Sequence, residues 1–226
     1  MTVMKISTPA FVLKTSIFKE SSLIVRLFTL EKGKATYIIK AAMRQKSPNK
    51  AIYQQLNEIK IDYSHYAKRQ IHPVYSSKLL NSWTSICSDL KKTVLCTAML
   101  EIVDKTFDEN IPDKITYKVL NLVMKFFEKN DKNLNNAFYF FLIHFLRNSG
   151  YDIINAKDHP IVKRFQQKNP ELLSDLSKIF ESDFILNKNN FTTNYDKKVM
   201  SQFIAELVRY HFPDVKSFSV AKDVFS

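Results

Sequence analysis

Through the first 80 residues, apolar positions alternate with polar ones. In Phe11-Val12-Leu13-Lys14-Thr15-Ser16-Ile17 one face carries Phe11, Leu13 and Ile17, and Lys14 and Ser16 lie on the other. Period two marks a half-buried strand, because successive side chains point to opposite faces. The stretch from Ser22 to Thr29 repeats it, with Leu23, Val25 and Leu27 opposite Arg26. A polar connector from Glu31 to Lys34 leads into Ala35–Ile39, and its Gly33 suits the positive φ of a hairpin. Another strand is expected through Ile59, Ile61 and Tyr63, with Glu58, Lys60 and Asp62 facing away, and a shorter one from Gln70 to Tyr75. Four or five short strands in so little chain predict a small barrel or a strongly curled sheet.

From about Trp83 the period becomes helical. One helix is expected over 83–108, and Asn110-Ile111-Pro112 reads as a cap and first turn opening a second, to about Glu128. In 137–148, AFYFFLIHFLRN, Phe138, Phe141, Leu142, Phe145 and Leu146 form one stripe, while Tyr139, Phe140 and Ile143 make the other side apolar too. That places this helix at the centre of its domain. Gly150 stands where a left-handed C-terminal cap would. Asn169-Pro170 opens another helix, and a last one runs from about Tyr195 to His211, ended by Pro213. Phe184 to Phe191 resembles a polar hairpin or loop. The fold class expected is α+β, with a barrel over 1–80 and a helical domain over 81–226.

Composition narrows the chemistry. A 226-residue chain that is 45% hydrophobic and 13% aromatic has material for a packed core. The start, MTVMKISTPAFVL, lacks the apolar run of a signal peptide, and a cytoplasmic location is expected. Cys87 and Cys96 are read as two buried, reduced thiols on opposite faces of one helix. The five histidines are scattered, and no metal site is expected. With Gly33 and Gly150 the only glycines, neither a GxxxxGK[ST] loop nor a GxGxxG turn can be built. GxSxG, HExxH and CxxC are missing as well, so no catalytic residue is nominated and no cofactor is expected.

Charge points to a partner. Residues 1–80 hold 14 Lys and Arg against 4 Asp and Glu, a net of +10; residues 81–226 hold 20 against 18, a net of +2. A positive field gathered in the barrel indicates a polyanion, nucleic acid first and an anionic membrane surface second. Its densest run is Lys40 to Lys50, KAAMRQKSPNK, with four cations, no acid, and a Ser47-Pro48 expected to stop regular structure. The candidate nucleic-acid-binding residues are Lys14, Arg26, Lys40, Arg44, Lys46 and Lys50. Phe18, Phe28, Tyr37 and Tyr53 are aromatics in range for stacking, although strand aromatics more often pack in a core.

These residues resemble a family. Phe11-Val12-Leu13, Glu20 to Val25, Leu27-Phe28-Thr29, Gly33 and Lys40 to Ser47 keep the spacing of the N-terminal signature of RecO, the bacterial DNA repair and recombination mediator. Ile71 to Tyr75 sits where that family leaves its barrel, and Phe141 to Tyr151 resembles its central helix ending in a Leu-Gly-Tyr type of motif. The resemblance implies an oligonucleotide/oligosaccharide-binding (OB) fold followed by a helical domain. It implies binding of single- and double-stranded DNA without enzymatic turnover, and annealing of complementary strands at the bacterial nucleoid. It further implies work with RecR to help RecA replace single-strand-binding protein (SSB), whose acidic C-terminal tail the helical domain holds; no membrane partner is implied. The alternative is an adaptor whose OB-like domain binds RNA or protein without annealing. Three departures stand out. Lys19 replaces a common Gly before Glu20, Ala41 replaces the Gly of the basic loop, and the four zinc-binding cysteines of many members have no counterpart beyond Cys96.

Overall fold

The alternating stretches fold as five strands: β1 Val3–Phe18, β2 Ser22–Thr29, β3 Gly33–Ile39, β4 Glu58–Tyr66 and β5 Ile71–Asn81, with a short helix α1 Asn49–Ile52 between β3 and β4. The computed structural model describes residues 3–45, 47–66, 68–181 and 196–217. The strands close into a barrel in the order β1-β2-β3-β5-β4, antiparallel except for a parallel β3–β5 seam from Thr36↔Ile71 to Ile38↔Pro73. This is the expected OB-fold. β1 serves two partners, pairing β4 over Val3 to Phe11 and β2 over Ala10 to Phe18, with a register shift between Val12 and Lys14. A bulge bends a strand, which lets one long strand turn the corner of the barrel. Inside, Val12, Val25, Leu27, Tyr37, Ile59, Ile61 and Tyr63 are fully buried.

The barrel unit comprises Met1–Trp83 together with Thr106–Tyr117. The helical period assigns that second segment to the other domain; the structure gives it to the barrel because it covers outward-facing aromatics. Phe107 stacks on Phe28 at 5.6 Å between ring centroids, and Tyr117 lies 5.1 Å from Phe11. The Asn110 N–H donates to the Lys34 carbonyl at 2.7 Å. Tyr117 Oη (3.1 Å) and Asn81 Nδ2 (2.7 Å) both donate to the buried Glu58 carboxylate. Gly33 has the expected left-handed backbone, φ +67°, and a Cβ there would lie 2.6 Å from the Ile111 carbonyl carbon and closer still to its oxygen. Two residues beyond Asn81, Trp83 Nε1 donates to the Leu56 carbonyl at 3.0 Å.

In the second unit, Thr84–Lys105 with Lys118–Ser226, the regular elements among the described residues are helices. The single helix expected over 83–108 is two, α2 Thr84–Ser88 and α3 Leu90–Thr106. Asp89 makes the break, because its carboxylate accepts the Lys92 N–H at 2.8 Å and so caps a new helix. The cysteines are both free and Cys96 is buried on α3, as expected, but the break puts Cys87 on a separate helix, α2, where it is exposed. α4 Lys114–Lys129 precedes α5 Leu134–Asn148, which is the buried centre its two apolar sides predict. Gly150 at φ +92° follows, with the Tyr151 N–H on the Leu146 carbonyl at 2.8 Å. α6 Pro160–Lys168 was not anticipated, and it buries Ile161, Val162 and Phe165. α7 Leu172–Glu181 and α8 Lys197–His211 are the last two helices among the described residues, α8 capped by Asp196. Lys92 is buried with its Nζ 2.7 Å from Asp131 Oδ1 and 2.7 Å from Ser85 Oγ. The stretch from Phe184 to Phe191 lies outside the described residues.

Candidate nucleic-acid interface

Lys14 follows the β1 bulge and pairs directly with Arg26 across the β1–β2 ladder. Lys14 is exposed and Arg26 half-buried, both on the outer surface, since Val25 and Leu27 face the core. Like charges directly opposite cost a sheet roughly 0.2–1 kcal/mol, a cost that an anion held between them removes. On the far side of Arg26 its β3 partner is Thr36, whose hydroxyl donates to Glu109 Oε1 at 3.2 Å. A carboxylate therefore bounds the cationic strip on that flank.

The basic turn leaves β3 at Lys40, and Ala41 takes a left-handed backbone, φ +55°. The Met43 N–H donates to the Ser21 carbonyl at 3.0 Å, which fastens this turn to the β1–β2 connection. That connection carries Lys19, itself left-handed at φ +54°, with its ammonium 5.5 Å from the centre of the Phe18 ring. Lys40, Arg44 and Lys19, all exposed, thus share one rim of the barrel with Ile17, 69% exposed, and Phe18, 41% exposed. Both departures from the family's glycines keep the backbone conformation that glycine adopts most freely.

Among the four aromatics weighed for stacking, only Phe18 is open; Phe28, Tyr37 and Tyr53 are buried. Burial pushes the Tyr53 hydroxyl up to about 12. Ser47-Pro48 does not end regular structure as expected. Pro48 is the N-cap of α1, in keeping with a ring that fixes φ near helical values. Lys50 is consequently a helix residue. α1 is held by Thr15 Oγ1 donating to the Tyr53 carbonyl at 2.6 Å and by Asn57 Nδ2 donating to the carbonyls of Ala51 (2.9 Å) and Ile52 (3.0 Å). Lys46 lies outside the described residues. The structure thus brings Lys14 to Arg26, and Lys40 to Arg44 and the β1–β2 connection; it does not place Lys50 on either group.

Two further cations escaped the sequence reading. Lys68 and Arg69, both exposed, sit in the β4–β5 turn, with the Arg69 guanidinium 4.3 Å from the Tyr66 ring centre. The parallel β3–β5 seam sets the start of β5 beside Thr36, so this turn borders the β2–β3 face. In OB-folds that face and the connections flanking it, between strands 1 and 2 and strands 4 and 5, take up oligonucleotides. A Lys-Arg pair in a polar turn was visible in the sequence, but the seam that positions it was not. Among the described residues no cluster of three or more His, Cys, Asp or Glu could hold a metal ion, and no helix is long and apolar enough to cross a membrane. The zinc site of many family members does not fit this chain, whose two cysteines lie on α2 and α3.

A family model described as Recombination protein O N terminal matches residues 1–83, and one described as Recombination protein O C terminal matches residues 87–157. The chain belongs to the RecO family. It is similar to the DNA repair protein RecO of Flavobacterium psychrophilum, 25% identical over 243 residues that cover 99% of this chain and 100% of that one. The DNA repair protein RecO of Christiangramia forsetii is 22% identical over 239 residues, covering 98% and 100%. That of Syntrophus aciditrophicus is 26% identical over 144 residues, covering 64% and 55%. Family membership makes this a DNA repair and recombination protein, and the OB barrel with its helical second unit is the architecture the family resemblance implies.

Proposed function

We propose that this protein binds DNA through the outer surface of the barrel and acts as a recombination mediator that works by binding, without turnover. Phosphates are held by Lys14, Arg26, Lys40, Arg44, Lys46 and Lys50, joined by Lys19, Lys68 and Arg69. The observation that carries the reading is the rim where Lys19, Lys40 and Arg44 converge beside exposed Phe18, at the end of the same β1–β2 ladder that carries the opposed Lys14–Arg26 pair. Cations that track a backbone, with an aromatic face for a base, are how single strands are held without sequence preference. The same neutralisation lowers repulsion between two strands and favours their pairing, which supports annealing. The family likeness supports the remainder: single- and double-stranded DNA as ligands, RecR as co-worker, the acidic SSB tail as a ligand of the helical unit, and loading of RecA at the bacterial nucleoid as the outcome.

Fluorescence anisotropy with a labelled single strand across a salt series tests it, comparing wild type with Lys14→Ala and Arg44→Ala. Each variant is expected to weaken binding and to shrink the slope of log affinity against log salt by about 0.7, the value for one phosphate contact on a single strand. Affinity that ignores salt, or that neither substitution moves, sinks the proposal.

A further inference from the structure

The wall of the barrel formed by the first half of β1, β4 and the second half of β5 lies outside the interface described above. Its register fixes which side chains point outward. Ala10, Ile59 and Ile61 face the core, so the alternate positions Lys5 and Ser7 on β1 and Lys60 and Asp62 on β4 face out. Lys60 pairs directly with Lys78 of β5, and Asp62 with Ser76. Lys5, Ser7, Lys60, Ser76 and Lys78 are all exposed. None of the three lysines has an ion-pair partner among the described residues. Asp62 is the one carboxylate in these rows, half-buried between Ser7 and Ser76 and one row along from the lysine pair.

We propose that this wall is a second nucleic-acid surface, holding the sugar–phosphate backbone of a second strand; the inference rests on the DNA-binding reading above. Ammonium groups and hydroxyls are the side chains that bind phosphate oxygens and carry no sequence information. Opposed lysines raise the local positive potential at a cost to the sheet, as Lys14 and Arg26 do on the β1–β2 ladder. The register supplies two such pairs on separate ladders, β1–β2 and β4–β5. A strand gripped by its backbone on this wall keeps its bases free for pairing. An acidic peptide is the poorer occupant, because the outward rows offer serines where peptide recognition needs pockets for alternate side chains.

The test uses the full chain carrying Lys60→Ala/Lys78→Ala, the charge reversal Lys60→Glu/Lys78→Glu, or Arg44→Ala as control. Three quantities are measured: affinity for a first labelled strand, capture of a second thymidine oligomer by the protein saturated with the first, and the annealing rate of complementary strands. Trp83 fluorescence verifies the barrel, and the substituted side chains are exposed. The double alanine variant is expected to keep first-strand affinity. Its second-strand capture should lose about 1.4 from the salt slope, at about 0.7 per phosphate contact, and its annealing should slow. The charge reversal should abolish second-strand capture. If capture and annealing stay at wild-type levels in both double variants while Arg44→Ala still weakens the first strand, the wall has no such role and the first interface stands. If no variant changes any binding, both readings fall. Displacement by an acidic peptide of a kind that leaves the first strand bound, with no second strand captured by wild type, overturns the choice of occupant.

Discussion

Replacing Ala41 by glycine should stabilise the barrel. Ala41 sits at φ +55°, in the left-handed region, where an L-residue's Cβ crowds the following carbonyl at a cost of roughly 1–2 kcal/mol. Glycine escapes that crowding but gives the unfolded chain more freedom, which returns roughly 0.5–1 kcal/mol. Ala41 is only half-buried, so loss of its methyl group removes little packing. The net expectation is a gain of about 0.5–1 kcal/mol, or ~1–4 °C in Tm for a chain of this size. The sole tryptophan, Trp83, is buried in the barrel unit, so its fluorescence during urea or thermal unfolding reports on that unit. Ala41→Val is the opposing control, because a β-branched residue is a true outlier at positive φ, and it should lose more than 1 kcal/mol, about the cost of a strained backbone position. If Ala41→Gly leaves the midpoint unchanged or lower and Ala41→Val is tolerated, the turn does not hold this conformation in solution. The same pair of variants shows whether the turn's shape governs DNA affinity: a stabilised barrel with unaltered binding separates the two.

Gly33→Ala should do the reverse, since a methyl group there meets both a positive φ and the Ile111 carbonyl; strain and overpacking together predict a loss of about 2–5 kcal/mol. A Trp83 unfolding midpoint within 1 °C of wild type would contradict the close approach. Acid should destabilise the protein, because burial lowers the pKa of all five histidines, helped by Lys32 near His65, by His65 near His72, by Arg147 near His144 and by His159 near His211. From the ordinary histidine value of about 6.5 downward the unfolded chain binds more protons than the folded one, so stability is lost as pH falls through the folded values. Urea midpoints at about pH 7.5 and 5.5 check the sign, and a midpoint that rises on acidification refutes it.

The strands were legible because a barrel wall with one wet face writes its period directly into the sequence, as in Leu23, Val25 and Leu27 against Arg26. The face was misread only on β1, where Val12 enters the core while Phe11 packs outside under Tyr117 and Ile17 is exposed. The basic turn was legible by its lack of acids, although Pro48 proved to start a helix. What the period cannot carry is closure. Lys68 and Arg69 gain their place from the β3–β5 seam, and Lys60 and Lys78 theirs from the β4–β5 register, both pairings between positions distant in the chain. The segment from Thr106 to Tyr117 reads as helix end, connector and helix start, and nothing local marks Phe107 and Tyr117 as a cover for Phe28 and Phe11. α6 was missed because a nine-residue helix with three buried side chains gives too short a periodic signal. The Asp89 cap hid in the same way, a single carboxylate within an otherwise continuous helical pattern.

That late-arriving cover bears on how the protein is made. A ribosome finishes β5 at Asn81 well before Phe107 and Tyr117 emerge, and in the interval the nascent barrel shows water the aromatic faces of Phe11 and Phe28 and the carboxylate of Glu58 without its tyrosine donor. The first unit therefore becomes complete only after α3 of the second has been synthesised, so the two units cannot mature strictly in the order of the chain.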